Sequence, residues 1–172
     1  MSKTIVIDAG HGGDDPGAVK SDIFEKDIVL KWSNCLTDLF ESDNIIPVRT
    51  KDKFVNLNTR AKFANDHDAD LFISLHCNAA GAESANGIET FHYPGSTGGQ
   101  RLANSVQQEL IKKTGRRDRG VKTAEFAVLR HTNMPAILVE CGFITNEDER
   151  FLMQEDSYIY ALSMAIKEGI YK

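Results

Sequence analysis

Short apolar runs alternate with longer segments of helical periodicity along almost the whole chain. Apolar residues that recur every three to four positions are typical of amphipathic helices, whereas short continuous apolar runs are typical of buried strands. Their alternation indicates βαβ units, because successive parallel strands need a crossover connection. We therefore predict the α/β class, with a largely parallel central sheet covered by helices on both faces.

The predicted elements belong to one domain. At 172 residues the chain is long enough to bury one substantial core. It contains no internal repeat, low-complexity segment or linker, so a single domain over residues 1–172 is expected. The predicted strands are TIVID, IIPVR, LFISLH, GIETFHY and AILVE, with FAVLR as a short extended piece. The predicted helices run from Glu25 to about Glu41, Leu57 to about His67, Gln100 to about Lys113, Glu147 to Met153 and Tyr158 to Ile170. In the second helix, Leu57, Ala61 and Ala64 are expected to face the core.

Charge and composition argue against several classes of partner. The net charge is −5, and the densest basic segment, RRDR at residues 116–119, is short and interrupted by an acid. We expect a solvated loop there and no nucleic-acid partner. The glycine clusters DAGHGG and PGSTGG lack the Gly-Lys-Ser/Thr ending of a phosphate loop. No run approaches the roughly 18 apolar residues that cross a membrane, and the first residues have the pattern of a strand rather than of a signal peptide.

Three of the apolar runs lead into residues that bind metals or carry protons. IVID leads into His11, LFISL into His76 and AILV into Glu140. Because the carboxyl ends of parallel strands meet at one edge of a sheet, where such folds bind ligands, these side chains should converge. Glu25 joins them if the glycine-rich loop after the first run folds back over the sheet, since Glu25 opens the following helix.

The converging residues have the composition of a hydrolytic zinc site, in which two imidazoles and a carboxylate surround an open position. Zinc lowers the pKa of water in that position, and a second carboxylate outside the metal shell then passes the proton to the leaving group. Charge alone leaves open which glutamate binds the metal. Glu25 at a helix N-terminus is stabilised as an anion, which favours a ligand. Glu140 at a strand end facing the cleft favours a base.

Each of these residues also has a purely structural explanation. His11 is compatible with a hydrogen-bonded surface histidine, and His76 with a donor to a backbone carbonyl. Asp22 and Glu25 have the spacing of a capping box, in which Glu25 would satisfy only its own helix. Glu140 is compatible with a carboxylate paired to an arginine at the sheet edge. The metal hypothesis therefore depends on the convergence of all four residues.

Several motifs, taken in order, resemble one known family. The sequence resembles the zinc-dependent N-acetylmuramoyl-L-alanine amidases of the Amidase_3 family at VIDAGHGGDDPGA, Glu25, ADLFISLHCNA and MPAILVECGFITNEDE. The family is also resembled, less specifically, by the intermediate segments RTKD, GIETFHYPG and RGVKTAEFAVLR. The resemblance runs from about Thr4 to Tyr171. It implies a three-layer αβα arrangement with a central, mostly parallel sheet of about six strands flanked by helices.

For the site, the resemblance implies one Zn²⁺ per chain, held by His11, Glu25 and His76, with Glu140 as the catalytic glutamate. It also implies the reaction, which is hydrolysis of the amide between the lactyl group of N-acetylmuramic acid and the L-alanine that begins the stem peptide. Asn78, two positions past His76, is expected either to contact substrate or to stabilise its loop. The short polar segment that follows predicts an open cleft.

The resemblance also sets expectations for the setting of the protein. Family members often carry a wall-binding module and an export signal, and we expect neither in this chain. A phage endolysin made in the cytoplasm, or an excised catalytic domain, fits both expectations. The expected partner is bacterial peptidoglycan at the cell wall, and the chain is expected to be a monomer. Two alternatives stay open: a non-catalytic wall-binding module on the same fold, and a zinc peptidase or deacetylase that acts on a different wall bond.

Overall fold

In the computed structural model, which describes residues 3–40 and 43–172, a six-stranded sheet lies between two layers of helices. The predicted α/β class and three-layer arrangement are confirmed. The strands are β1 (Thr4–Ala9), β2 (Val19–Lys20), β3 (Ile23–Phe24), β4 (Asn44–Pro47), β5 (Leu71–Asn78), β6 (Ile88–His92), β7 (Asp118–Thr123) and β8 (Ala136–Phe143). The helices are α1 (Glu25–Asp38), α2 (Leu57–Asp66), α3 (Thr97–Thr114), α4 (Ala127–Arg130), α5 (Glu147–Leu152) and α6 (Asp156–Ile170).

The order of the strands places β1, β5 and β8 side by side. Across the sheet the order is β4-β1-β5-β8-β6-β7, and neighbouring strands are parallel except for β6 and β8, which are antiparallel. The prediction of a mostly parallel sheet is thus confirmed. Because β6 runs opposite to β8, it begins at the edge of the sheet where β1, β5 and β8 end. The short strands β2 and β3 form a separate hairpin between β1 and α1.

Side chains of the central strands alternate between two cores of unequal size, as the period of two in a strand requires. The larger core packs against α1, α3 and α6, and the smaller one packs against α2 and α4. In β5, Ile73 and Leu75 belong to the larger core and Phe72 to the smaller one. The smaller core includes Leu138 of β8 but not Glu140, which lies two residues further along the same face. The carboxyl end of this face therefore holds polar residues.

Two segments differ from the sequence-based expectation. RRDR was expected to be a solvated loop, but Asp118 and Arg119 begin the edge strand β7. This strand has a weak apolar signal because its residues are mostly half-buried or exposed. FAVLR was expected to be extended, but Ala127–Arg130 forms the single helical turn α4, which buries Val128 and Leu129 in the smaller core. One turn is too short to display a helical period.

The remaining differences concern helix boundaries and one side chain. Helix α1 ends at Asp38, and the predicted end near Glu41 lies outside the described residues. Ala61 and Ala64 of α2 are buried as expected, but the prediction for Leu57 was wrong, since it is 55% exposed. Residues 79–87, which connect β5 to β6, form a loop that contains no helix. Within the described ranges, no helix has both the length and the apolar content needed to cross a membrane.

Candidate metal centre

The loop after β1 carries His11 back over the edge of the sheet. His11 itself has a left-handed φ of 59°. A Cβ atom at Gly10 would lie only 2.3 Å from Cε1 of His76, so the backbone passes this imidazole with no room for a side chain. A Cβ atom at Gly17, where φ is +67°, would lie 2.6 Å from Oε2 of Glu25. The two glycines therefore allow the loop to close around the three side chains.

Glu25 is the first residue of α1, and its carboxylate points back into the loop. The amide of Ala18 donates to Oε2 at 2.8 Å, and the amide of Cys77 on β5 donates to Oε1 at 2.9 Å. The N-cap of α1 is Phe24, with no side-chain cap. The capping box suggested by Asp22 and Glu25 is therefore not formed. The carboxylate instead connects the loop, the helix and the sheet.

The side chains of His11, Glu25 and His76 meet at one point. Nε2 of His11 lies 3.2 Å from Oε1 of Glu25, and Nδ1 of His76 lies 3.0 Å from the same oxygen. The two imidazole rings have centroids 5.0 Å apart and stand edge to face. One ligand atom from each of the three residues lies within 4.8 Å of the others, so the cluster has the dimensions and donor types of a metal site.

Charges within the cluster alter its protonation. Burial works to lower the pKa of His11, but hydrogen bonds and charges from Glu25 and Asp15 outweigh it and raise that pKa to about 9. Burial opposes ionisation of Glu25, yet hydrogen bonds to His11 and His76 hold its pKa well below the ordinary value. Without a cation, the cluster thus retains a proton on His11 at neutral pH, and a bound metal ion would displace it.

Glu140 lies on β8 directly beside His76 of β5, with Glu89 of β6 on its other side. Its Oε2 atom is shielded from solvent and has no hydrogen-bond partner among the residues that the structure describes. Burial raises the pKa of Glu140 to about 7; the nearby His76 opposes the shift, and the charges of Glu25 and Glu89 add to it. A carboxyl group with such a pKa exchanges protons readily near neutral pH.

Asp15 is a contributor that the sequence analysis missed. Its Oδ2 atom lies 2.9 Å from Nδ1 of His11, and its Oδ1 atom accepts a hydrogen bond from the amide of Gly17 at 3.1 Å. A carboxylate on one ring nitrogen fixes the tautomer and aims the other nitrogen at a metal. The spacing of four residues between His11 and Asp15 was visible in the sequence, but only the left-handed loop brings them together.

Two buried arginines, which the sequence analysis also missed, bind the backbone carbonyl groups of this loop. Arg60 of α2 forms a 2.7 Å ion pair with Asp8 and donates to the carbonyl of His11 at 2.6 Å. Arg49 donates to the carbonyls of Ala9 at 2.9 Å and of Gly10 at 2.8 Å. Loop carbonyls turned inward would otherwise be buried without partners. These contacts fix the backbone from which His11 projects.

Beside Glu140, away from the histidines, lies a group of charges centred on Glu89. Oε1 of Glu89 accepts a 2.6 Å hydrogen bond from the Asn78 side chain, and Oε2 accepts from Arg119 and Lys122. The carbonyl of Asn78 also accepts from the amide of Ile144. Of the two expectations for Asn78, these contacts favour the structural one.

A cavity of about 350 Å³ opens on the opposite side of the cluster. His11, His76 and Asp15 form its inner wall. Its outer wall is largely apolar and includes Phe54 and the exposed Leu57. The candidate metal centre thus lies between an apolar cavity and a charged patch.

The chain matches one family of proteins along almost its whole length. The model of the Amidase_3 family, described as N-acetylmuramoyl-L-alanine amidase, matches residues 5–172. A solved structure, an N-acetylmuramoyl-L-alanine amidase from Clostridium difficile 630, superimposes with a TM-score of 0.95 at 36% identity. The match covers 99% of this chain and 95% of that one.

Two curated proteins are equally similar in sequence and differ in origin. The chain is 42% identical to the uncharacterized protein YqiI of Bacillus subtilis (strain 168), over 98% of this chain and 83% of the relative. It is also 42% identical to the endolysin of Bacillus phage SPP1, over 99% of this chain. The chain spans 65% of the length of the endolysin, which therefore contains a further region that this sequence does not match.

Proposed function

Because the chain belongs to the Amidase_3 family of N-acetylmuramoyl-L-alanine amidases, we propose that it hydrolyses the amide bond between N-acetylmuramic acid and L-alanine in peptidoglycan. The observation that carries this proposal is the position of Glu140. Its buried Oε2 atom has no partner within the described part of the chain, and it lies one strand away from the His11–Glu25–His76 cluster. A buried carboxyl group without a partner needs an explanation, and a role in proton transfer beside the cluster supplies one.

We propose that the cluster holds one zinc ion through His11, Glu25 and His76. Two imidazoles and one carboxylate are the donor types of hydrolytic zinc sites, and the three donor atoms are close enough to share one ion. Bound zinc would supply a Lewis acid that polarises the lactyl carbonyl and activates a water molecule. Asp15 supports this role for His11, since its contact with Nδ1 leaves Nε2 free to face the ion.

Glu140 would carry the proton through the reaction. Its Oε2 atom would accept a proton from the attacking water and then donate it to the departing amine of L-alanine. A pKa raised to about 7 suits both steps, because the group must be a base first and an acid later. The proposed order requires that Glu140 starts ionised, which a positive ion at the cluster would favour.

The setting of this activity is also a proposal. We infer that residues 1–172 act as one catalytic domain at the bacterial cell wall, as a monomer, with peptidoglycan as the partner. The family supports peptidoglycan as the substrate. A phage origin and a bacterial origin are supported equally, since a phage endolysin and a bacterial protein share the same identity with this chain.

The test is a digest of purified peptidoglycan by the wild type and by Glu140→Gln, with bound zinc quantified in both. We expect the wild type to bind one zinc ion and to release new N-terminal L-alanine. Glu140→Gln keeps the shape of the side chain and should bind zinc normally while losing activity by about a thousandfold or more. Glu147→Gln, an exposed change on α5, is the matched control and should behave as wild type.

Three results would contradict the proposal in different ways. New amino groups that do not belong to alanine would indicate a peptidase or deacetylase. Zinc binding without any cleavage by the wild type would favour the wall-binding module. Full activity in Glu140→Gln would remove this residue from the proposed mechanism and leave the bond assignment in place.

A further inference from the structure

Apart from the charge of Glu89, which helps raise the pKa of Glu140, the charged patch beside Glu140 has no part in the proposed chemistry. At its centre is Glu89, the first polar residue of β6, which is only 5% exposed. Nε of Arg119 donates to its Oε2 atom at 2.8 Å, and Nζ of Lys122 contacts the same oxygen. Both cations come from the edge strand β7. We call Glu89, Arg119 and Lys122 the edge-strand charge cluster.

The edge-strand charge cluster has one positive charge in excess. Burial works to raise the pKa of Glu89, but hydrogen bonds from Lys122 and Arg119 outweigh it and hold this pKa below its ordinary value. The carboxylate is therefore ionised and neutralises only one of its two partners. The side chains of Arg119 and Lys122 remain 25% and 41% exposed, so the excess charge faces solvent. The guanidinium of Arg119 also stacks 4.8 Å from the ring centroid of Phe143, which limits its motion.

This cluster and the candidate metal centre share one face of the sheet. The strand register places His76, Glu140 and Glu89 side by side on β5, β8 and β6. Register partners project from the same face. Lys122 is paired with Phe91, two residues after Glu89, and so projects from that face too. Arg119 and Lys122 belong to β7, two strands from Glu140, but their charged ends reach the carboxylate of Glu89. Glu89 itself is one strand spacing, about 4.8 Å, from Glu140.

The chemistry of the substrate indicates what the excess charge would bind. The lactyl carboxyl group is consumed in the scissile amide, so the sugar side offers no free carboxylate near the cut. On the peptide side, a second residue of D-glutamate that is joined through its side-chain carboxyl group keeps a free α-carboxylate. This carboxylate lies about 4 Å of chain beyond L-alanine, which is comparable to the spacing of about 4.8 Å between the strands that carry Glu140 and Glu89.

We propose that Arg119 and Lys122 form a subsite for the free carboxylate of the stem-peptide residue that follows L-alanine. This inference rests on the proposed amide hydrolysis and adds a specificity to it. Glu89 positions the two cations and prevents their mutual repulsion, while Asn78 fixes the other oxygen of Glu89. The stem peptide would then cross β8 towards β7, and the sugar would lie towards the apolar cavity beside His11.

The test compares two N-acetylmuramoyl tripeptides with amidated C-termini that differ only at the second residue, D-isoglutamate in one and D-isoglutamine in the other. We expect the wild type to favour the free carboxylate by about tenfold in kcat/KM, as for other charge-assisted hydrogen bonds. In Lys122→Gln and Arg119→Gln this preference should fall to about twofold or less. Lys62→Gln, which removes an exposed lysine of α2, is the control and should keep the tenfold preference.

A binding measurement on Glu140→Gln makes the result independent of turnover. Calorimetric titration should show about tenfold tighter binding of the D-isoglutamate compound, and adding Lys122→Gln should remove the difference. Equal binding and equal cleavage of the two compounds by the wild type would overturn the subsite. An equal loss on both compounds in Lys122→Gln and Arg119→Gln would also overturn it, since that is the result of a purely structural role.

Failure of this inference can be told apart from failure of the proposed function. If intact peptidoglycan releases N-terminal L-alanine while the two tripeptides are bound and cut equally, only the carboxylate subsite is wrong. If no alanine is released from peptidoglycan or from either tripeptide, the amidase proposal fails and the subsite fails with it.

Discussion

The carboxylate of Asp15 gives the most direct test of how His11 is oriented. Asp15→Asn replaces an ionic acceptor with a weaker neutral one at Nδ1 of His11, 2.9 Å away, while keeping the shape of the side chain. We expect zinc affinity to fall about tenfold, because outer partners of ligating histidines typically have effects of this size. Competition with a chromogenic chelator measures the change, and added zinc should restore activity.

The neighbouring Asp14 supplies the control for this prediction. It is exposed, so Asp14→Asn removes the same charge from the same loop without touching His11. Equal zinc affinities in Asp15→Asn and the wild type would mean that the loop backbone alone orients the imidazole.

At the scale of single residues, the sequence was informative where strands end. His11, His76 and Glu140 could be placed at one edge because each follows an apolar run, and parallel strands end together. Asp15 and Arg60 could not be found in this way. Their roles depend on a left-handed loop and on a long-range contact, and neither leaves a periodic signal in the sequence.

Among the structural elements, α2 is attached to β1 through one buried ion pair. Arg60 and Asp8 are both almost fully buried and lie 2.7 Å apart. Arg60→Gln leaves the Asp8 carboxylate without its charged partner, so we expect the free energy of unfolding to fall by about 3 kcal/mol or more. Urea denaturation of the zinc-free protein measures this loss.

Two further variants identify the cause of that loss. Lys62→Gln, on the exposed side of the same helix, should change the free energy of unfolding by about 0.5 kcal/mol or less. Adding Asp8→Asn to Arg60→Gln should recover part of the stability, because the unpaired charge is removed. A double variant less stable than Arg60→Gln would show that the hydrogen bonds of Asp8, rather than its charge, matter more.

Elements with long apolar patterns were predictable, and those with short or polar ones were not. The helices α1, α3 and α6 have several turns of apolar period, and β1, β5 and β8 are buried on both faces. In β7 the pattern is interrupted by charges that face Glu89, because an edge strand has only one neighbour to pack against. In α4 a single turn gives no period at all.

For the whole molecule, we expect zinc and protons to compete for the His11–Glu25–His76 cluster, and the pH dependence of the melting temperature should show this competition. His11 has a pKa of about 9 in the zinc-free fold and 6.5 in the unfolded chain, so its contribution is complete below pH 6.5 and lost as the pH rises through 9. The pKa of Glu140 is raised from 4.5 to about 7, so its contribution to stability is also lost as the pH rises, but between pH 4.5 and pH 7. We expect the melting temperature of chelator-treated protein to fall between pH 6.5 and pH 9.

With one equivalent of zinc, we expect the melting temperature to rise with pH instead. The ion binds the deprotonated imidazoles, so the stabilisation that it provides grows as the pH rises. Differential scanning calorimetry with and without zinc measures both slopes. His11→Asn should abolish the zinc-dependent rise, whereas a change at the exposed His67, His67→Asn, should leave it intact. A zinc-free melting temperature that is constant over this range would contradict the proton-bound cluster.

The close approach of Gly10 to His76, and of Gly17 to Glu25, has a genetic consequence. Every missense change of a glycine codon adds at least a Cβ atom, and at these two positions that atom has no space. In a library of random variants, both positions should therefore be as intolerant as the residues that they border. A list of essential positions that includes only reactive side chains would omit these two glycines, which are essential because they have no side chain.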